Sequence, residues 1–469
     1  MARHVLKSAA ICGLLVHLSA CASIDVPPQP ERPASSQIDI STPQQFFNAE
    51  GAALPINQQW WEGFNDAALS ALIQKTLAEN RQLDVAAANI NIAGANTARA
   101  RLNKSYTADS TSDANIGSFN IADGSFEARL SGGLGASWEY DAFGRIESAI
   151  KAAELNEDAA RQARQDVAVI VSSETALAYM DLRGAQMRID VGRKNADTQA
   201  RSLELLRQLL ENGRATQLDV SRAEAQYRTT LSDLPRFDAI IDRSLSRLAA
   251  LTGVMSAEED DNILALKQSA APLPNFTASF NVGSPQELIR RRPDIRAAET
   301  DIAQRLALSD VQRARLFPTL VFNGDLTTLF GNGNLFNQIS RIGFGLGPAL
   351  RWEGPDLRGV RADIEIADAQ TQRAYIVYEQ TVTQALADVE AALSNRLNEQ
   401  KRQRDLMQAE MAAREALEIA NLRFEEGIDD FLDVLDAQRT LLTAQDRLAE
   451  NQLQTARLTI LAYRELGGI

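Results

Sequence analysis

The fold is decided by residues 126–140, which read FEARLSGGLGASWEY. Every second residue from Phe126 to Tyr140 is apolar, glycine or alanine, and the residues between them are Glu, Arg, Ser or Gly. This period of two indicates a β-strand with one apolar face and one polar or small face. A half-buried strand of a soluble sheet would show the same alternation. The length favours a membrane barrel with lipid outside and water inside, because a tilted membrane strand needs only about 9–11 residues.

Three further segments bring the number of predicted strands to four. Residues 339–352 repeat the alternation clearly, whereas 317–328 and 104–121 show it more weakly. With 126–140 they form two hairpins, which are too few strands to close a barrel. Open edges cannot face lipid, so we expect the chain to oligomerise, with 12 strands from three copies or 16 from four. Aromatic residues at the strand ends predict a girdle at the membrane interface, formed by Trp138, Tyr140 and Trp352.

An internal duplication organises the rest of the chain. Several landmarks recur 214 residues apart, among them Gly213 and Gly427. The duplication divides the chain into a first structural repeat, residues 60–258, a linker, residues 259–283, and a second structural repeat, residues 284–469. A period of this length is not that of a solenoid, so we expect two similar halves related by a pseudo-symmetry axis.

Each repeat contains one very long and one shorter predicted helix. The long helices cover residues 146–212 and 360–426, and each stretch of 67 residues without proline would extend roughly 100 Å. The shorter helices cover 215–252 and 429–466, and the last carries a seven-residue apolar repeat typical of a coiled coil. Helices of this length need a partner that buries their apolar stripe. A coiled-coil scaffold would provide one, but the strands favour an α+β membrane protein whose barrel continues into a coiled-coil periplasmic tunnel that conducts.

The N-terminus predicts export and lipidation. Residues 1–20 combine two basic residues with an apolar run that is typical of a signal peptide and too short to span a bilayer. They end in Leu-Ser-Ala before Cys21, the pattern of a lipoprotein cleavage site, with an ordinary secretory signal as the alternative. Acylated Cys21 would anchor the chain in outer-membrane lipid, and residues 21–59 would form the tether. Ala22, in place of an aspartate, favours the outer membrane of a Gram-negative cell.

Composition argues against catalysis and against nucleic-acid binding. The 469 residues carry a net charge of -14, and both histidines, His4 and His17, fall inside the predicted signal peptide. The mature chain would lack the usual general base and the commonest zinc ligand, and no paired-carboxylate site is recognisable. An acidic surface also repels phosphates. We therefore expect no enzyme activity, no metal or other cofactor and no nucleic-acid partner.

Several motifs carry a resemblance to a known family. Residues 289–299 read IRRRPDIRAAE, and Phe317-Pro318 opens a predicted strand. The most specific motif is 431–442, FLDVLDAQRTLL, which follows Arg423-Phe424 and Gly427. The chain resembles the TolC-type outer-membrane efflux ducts, in their NodT-like lipoprotein branch. The resemblance implies a homotrimer with a 12-stranded barrel, and two partners: a periplasmic adaptor and a proton-driven inner-membrane RND transporter.

The function that the resemblance implies is that of a passive exit duct. It would conduct drugs or other small toxic compounds across the periplasm and outer membrane. Two alternatives remain open: a duct of a protein-secretion or metal-ion export system, and a non-conducting periplasmic scaffold lipoprotein. The six methionines of the chain form no stripe that would favour copper or silver.

A gate is expected at the helix tips, where each long helix reverses at Gly213 or Gly427. The resemblance places three residues at the periplasmic aperture: Asp219, Asp433 and Asp436. Rings of such carboxylates in a trimer would attract cations. Helix capping is the alternative role for Asp429 and Asp430. Asp429 stands where non-lipidated relatives carry a latch arginine, so we hypothesise a gate between Arg214 and an acid such as Asp429, or one formed by the helix seam alone.

Overall fold

The computed structural model describes residues 25–30, 59–120, 125–277, 291–331 and 341–468. These residues fold into two compact units. The sheet unit comprises the described residues within 1–38, 88–161 and 296–380. The helical unit comprises those within 39–87, 162–295 and 381–469. Each unit combines segments of both sequence repeats, so the compact units do not follow the repeat boundaries.

In chain order, the described elements are α1 (Ala67–Glu79), α2 (Arg81–Leu102), β1 (Thr107–Asn120), β2 (Ser125–Tyr140), α3 (Arg145–Glu211), α4 (Gln217–Leu251), α5 (Asp261–Gln268), α6 (Pro293–Ala314), β3 (Thr319–Gly331), β4 (Arg341–Arg351), α7 (Arg358–Glu425) and α8 (Phe431–Glu465). The order α2-β1-β2-α3-α4 recurs as α6-β3-β4-α7-α8, as the duplication predicts. No helix in the described part of the chain combines the length and the apolar character needed to cross a membrane.

The four strands of the sheet unit form one antiparallel sheet in the order β1-β2-β3-β4. Their bounds lie within three residues of the predicted ones. The register pairs Leu134 with Leu326 and Leu326 with Phe344, which places apolar residues of three strands in one row. The two predicted hairpin turns, at 122–125 and 331–334, fall largely outside the described residues.

Glycines set the ends of the long helices. Gly144 before α3, Gly213 after α3 and Gly427 after α7 have φ angles of 72°, 70° and 73°. Glycine adopts this left-handed conformation at little cost, which allows the chain to enter or leave a helix abruptly. The predicted bounds of α3, α4, α7 and α8 therefore differ from the observed ones by at most two residues.

The segment 259–283 contains helix α5, where the sequence predicts only a linker. Asp260 caps this helix by accepting a hydrogen bond from the Asn262 N–H, and it also binds the Lys75 ammonium at 2.5 Å. Ile263 and Leu266 are buried in the core of the helical unit. These contacts order a helix of eight residues that is too short to form alone. The linker prediction did not specify this helix, and the linker bounds stay a prediction.

The main core of the helical unit forms around Trp60 and Trp61, which are 3 % and 2 % exposed. The Trp60 ring stacks on Tyr463 with ring centroids 5.5 Å apart. Asp66 caps α1 through the Leu69 N–H and accepts a hydrogen bond from the hydroxyl of the buried Tyr179 at 2.8 Å. Trp60 and Trp61 therefore serve the packing of this unit.

Candidate functional site

One face of the sheet is apolar and exposed. On β4, Phe344 and Leu346 are 88 % and 89 % exposed, and Ile342 lies beside them. Leu326 of β3 and Leu134 of β2 continue the same face. A contiguous exposed apolar surface marks a site of protein or membrane interaction. On strands of this length, the surface is suited to contact with lipid chains.

The opposite face carries carboxylates, hydroxyls and glycines. One register row runs across the four strands through Asp109, Gly135, Asp325 and Gly345. A Cβ added to Gly135 would lie 2.6 Å from a carboxylate oxygen of Asp109, and one added to Gly345 would overlap the carboxylate of Asp325. Each aspartate therefore lies over a glycine of the next strand, in both halves of the chain. Such a face is suited to water.

The two outer strands of the sheet each have one free edge. Within the described chain, β1 pairs only with β2, and β4 pairs only with β3. In hydrocarbon every unpaired backbone N–H or C=O costs several kcal/mol. A single sheet therefore cannot stand in a membrane alone, and strands from other copies must cover both edges.

The two tryptophans of the predicted girdle make equivalent hydrogen bonds at the strand bases. The Trp138 indole N–H donates to the Lys104 carbonyl at 3.1 Å, and the Trp352 indole N–H donates to the Leu316 carbonyl at 2.9 Å. Trp138 also stacks on a phenylalanine of β3, with ring centroids 5.6 Å apart, and Tyr140 is 53 % exposed. An indole with one face apolar and its N–H bonded suits a membrane interface. The girdle itself stays a prediction.

The two helix tips are built alike. At the first tip, the Arg214 N–H donates to the Leu209 carbonyl, five residues back, and at the second the Ile428 N–H donates to the Arg423 carbonyl. Gly213 and Gly427 donate to carbonyls three residues back. This pair of bonds, with glycine in the left-handed conformation, is the Schellman motif that ends helices. The tip glycines therefore have a full structural explanation.

Asp219 forms a capping box at the start of α4. Its carboxylate accepts from the Thr216 N–H at 3.0 Å, and its own N–H donates to the Thr216 hydroxyl at 3.2 Å. Reciprocal bonds of this kind satisfy two N–H groups that a helix start leaves without partners. The structure thus gives Asp219 a local role in the tip, and its place at the aperture stays a prediction.

Asp429 is held by Arg423, across the turn at Gly427. The Arg423 guanidinium donates through Nη2 at 2.8 Å and through Nε, and these bonds lower the pKa of the Asp429 carboxyl below its usual value. Asp430 occupies the N-cap position of α8 but makes no side-chain cap bond. Within one chain, Asp429 therefore pairs with Arg423, six residues before it, and Arg214 makes no ion pair among the described residues. A gate between Arg214 and an acid stays a prediction.

Asp433 and Asp436 lie exposed near the start of α8, three residues apart. Residues with this spacing share a helix face. Asp436 binds Arg439 at 2.7 Å, and both side chains of this pair are more than 60 % exposed. A pair so open to solvent contributes little stability, so the carboxylates remain available to line an opening.

Apolar side chains next to the two helix tips pack into one buried cluster. Leu206 of α3 and Val434 of α8 are 0 % and 1 % exposed within it. Phe424 contacts Phe431 edge to face with ring centroids 5.1 Å apart. This contact gives Phe424 a packing role inside one chain. No local pattern in the sequence predicts this role.

Polar bonds between α3 and α8 form a seam that sequence analysis missed. Arg188 of α3 binds Asp446 of α8 through two bonds of 2.7 and 2.8 Å, and its guanidinium lies 4.6 Å from the centre of the Phe237 ring. Further along, Asn195 donates to Gln445 at 2.8 Å. Partners some 250 residues apart leave no local pattern in a sequence. We call these contacts the α3–α8 seam.

In the described ranges, no group of three or more His, Cys, Asp or Glu side chains is arranged to hold a metal ion. Cys21 lies outside the described residues, so acylation there stays a prediction.

Comparisons with known proteins agree with this geometry. A family model described as outer membrane efflux protein matches residues 72–254 and 284–463. The solved outer-membrane channel OprN has a TM-score of 0.80 and 31% identity, covering 95% of this chain and 98% of that one. Nodulation protein T of Rhizobium leguminosarum bv. trifolii is 29% identical over 410 residues, 85% of each chain. The pyoverdine export outer membrane protein OpmQ of Pseudomonas aeruginosa is 27% identical over 487 residues, covering 99% of this chain and 97% of that one.

The family model matches twice, once within each predicted repeat. The resemblance to TolC-type ducts is confirmed, and with it a trimeric barrel with a helical tunnel in the outer membrane. The relatives are transport channels. The two-faced sheet with open edges and the duplicated helical hairpins are the parts of such a channel, and the chain belongs to the outer membrane efflux protein family.

Proposed function

We propose that the chain is the exit duct of a tripartite efflux pump, joined through a periplasmic adaptor to an inner-membrane RND transporter. The sheet gives the strongest support. Its apolar face, its row of carboxylates and glycines, and its two uncovered edges are what one third of a lipid-embedded, water-filled barrel requires. A periplasmic scaffold would have no use for an exposed apolar sheet.

The proposed cargo is a small molecule that the duct conducts passively. The relative OpmQ is named as a pyoverdine export protein, and it aligns with nearly the whole of this chain. The wall formed by Asp109, Asp325 and the glycines beside them is polar and charged, which suits the passage of water and dissolved solutes. Selection of cargo therefore falls to the transporter, and the duct supplies no energy.

The proposed gate lies at the helix tips. Asp433 and Asp436 would form rings of carboxylates at the aperture of the trimer, with Asp219 nearby, and these rings would favour cations. Arg423 bound to Asp429 stiffens the second tip turn, so the gate need not involve Arg214. The α3–α8 seam is the contact that must yield if the hairpin of α7 and α8 swings away from α3.

The proposed anchor is an acylated Cys21 in outer-membrane lipid. One acyl chain gives only marginal membrane binding, whereas several give firm anchoring. The anchor would hold each protomer at the membrane in addition to its barrel strands.

Affinity capture tests the proposed assembly. The full-length chain with a C-terminal tag is cross-linked in native membranes with a cleavable reagent and then purified. We expect a heat-dissociable trimer that carries a periplasmic adaptor and an inner-membrane transporter. Uncross-linked membranes serve as the control. A trimer that captures neither partner would overturn the tripartite assignment, and a monomer would overturn the duct.

A further inference from the structure

The N-terminal tether is held by a buried arginine in the sheet unit. The Arg313 side chain, at the end of α6, is 8 % exposed. Its guanidinium donates from Nε to the Pro27 carbonyl at 3.1 Å and from Nη2 to the Pro28 carbonyl at 2.7 Å. The neighbouring Gln29 side chain donates to Asp310 at 2.7 Å. Residues 27–29 of the tether therefore lie along the last turns of α6.

Two side chains, in addition to the tether carbonyls, hydrogen-bond to the Arg313 guanidinium. Asp368 of α7 accepts two bonds from Nη2 of Arg313, each 2.9 Å long, and Ser309 binds Nη1 and donates to Asp368 at 2.7 Å. We call Ser309, Arg313 and Asp368 the tether clamp. A buried guanidinium needs acceptors for its donors. The clamp supplies part of them, and the two tether carbonyls supply the rest.

The tether sequence suits this acceptor role. Residues 26–30 read VPPQP, so Pro27, Pro28 and Pro30 have no N–H to enter a helix or sheet. A residue that precedes proline is confined to extended conformations, and the carbonyls of such a segment have no partner within it. The planar guanidinium group of arginine presents its N–H donors in a rigid fork and can bind two such carbonyls at once, whereas the ammonium group of lysine is a point charge without this fork.

The clamp exists in only one of the two repeats. Positions 214 residues upstream of Ser309, Arg313 and Asp368 hold Ala95, Arg99 and Glu154. Ala95 lacks the hydroxyl, Arg99 is exposed, and Glu154 binds Arg101 at 2.7 Å instead. The duplication thus kept the arginine in both halves, while only the second half surrounds it with the groups that hold the tether.

We propose that the tether clamp is a docking site for the polyproline segment 26–30 and that it fixes where the lipid anchor enters the membrane. Cys21 is six residues before Pro27, which limits the anchor to about 20 Å from the clamp. Arg313 is six residues before β3, so the anchor is tied to the second strand hairpin of its own protomer. The role in anchoring rests on the proposed acylation of Cys21, whereas the docking of the tether does not.

Spin labelling tests the docking. Asp25→Cys is introduced into the full-length chain, and the trimer is labelled with a nitroxide in outer-membrane vesicles. Labelling of the parent chain first reports whether Cys21 has a free thiol, so a failure of lipidation is seen separately. We expect a slowly reorienting label at position 25, and motion at least about threefold faster after Arg313→Ala.

Two matched controls and a second variant complete the design. Arg305→Ala removes a half-exposed arginine of the same helix, and Arg99→Ala removes the equivalent residue of the first repeat. Both changes should leave the label slow. If Arg313→Ala fails to form trimers, Pro27→Gly with Pro28→Gly loosens the tether and leaves the arginine in place, and it should free the label. A label that is equally slow with these changes, or equally fast in the unaltered chain, overturns the proposal.

Discussion

Leu346 and Gly347 are neighbours on β4 that face opposite sides of the sheet, and the same substitution should have opposite consequences at the two positions. Leu346 is 89 % exposed on the apolar face, near the middle of the strand. A Cβ added to Gly347 meets no heavy atom within 4 Å on the other face. Leu346→Arg would place a guanidinium in hydrocarbon, whereas Gly347→Arg would place it in the aqueous lumen.

The expected difference is large enough to measure. An arginine at the bilayer midplane of a membrane barrel costs about 2–4 kcal/mol, and a lumen substitution costs little. At about 1.4 kcal/mol for each factor of ten, the folding equilibrium of Leu346→Arg should fall roughly 30-fold to 1,000-fold per chain. Leu346→Ala separates the loss of the leucine from the gain of the charge, and it should have a much smaller effect than Leu346→Arg.

Folding into lipid vesicles from urea measures this difference. The fraction of folded protein is read from the heat-dissociable trimer band on a gel as the urea concentration is lowered. We expect Gly347→Arg to fold like the unaltered chain and to conduct less current, because its side chain narrows the lumen. Equal folding of Leu346→Arg and Gly347→Arg, or poorer folding of Gly347→Arg, would refute the assignment of the two faces.

Three further predictions concern the helical unit. Asp446→Asn removes the charged partner of Arg188 in the half-exposed α3–α8 seam. We expect the open probability of single channels to rise roughly fivefold, for a loss of about 1 kcal/mol. The control Asp190→Asn breaks an exposed pair within α3 and should not change the open probability, so equal values for both variants would count against the seam as a gate. Asp219→Ala removes the second half of the capping box and should destabilise the start of α4 by about 0.3–1.5 kcal/mol, seen as faster amide exchange there. Ion selectivity changed without faster exchange would contradict its capping role. Because Arg423 lowers the pKa of Asp429 in the folded chain, their pair stabilises the tip at neutral pH and is lost only as the pH falls through that lowered pKa. The protection of amides near the second tip, after correction for the pH dependence of intrinsic exchange, should therefore be the same at pH 7 and pH 5 and decrease at lower pH. A loss of protection already at pH 5 would contradict this role of the pair.

Periodic and local patterns of the sequence predict most of the fold. The period-two stretch around Trp138 and the proline-free helical stretches predicted the strands and long helices to within three residues, because burial on one face repeats along each element. The tip glycines marked the helix ends for a similar local reason. Helix α5 was not predicted, because its order depends on contacts between residues that are far apart in the chain, such as Lys75 and Asp260.

The candidate site was predictable only in part. The sequence indicated the tips and their acids, but it could not decide between a partner in the same tip turn and one in the other tip. Within one chain, Asp429 binds Arg423, six residues before it. The α3–α8 seam and the tether clamp join residues that are hundreds of positions apart, so only the folded chain brings them together. The packing role of Phe424 likewise depends on a neighbour across the turn.

Single-channel recording of the purified trimer in a planar bilayer tests the central claim most directly. The unaltered chain is compared with Asp433→Asn combined with Asp436→Asn, and with Asp446→Asn. A gated duct predicts small, cation-selective openings, weaker cation selectivity in the double variant and more frequent openings when the seam is broken. A heat-dissociable trimer that stays silent in all three forms would contradict conduction, and openings whose selectivity is the same in the double variant would place the constriction elsewhere than at Asp433 and Asp436.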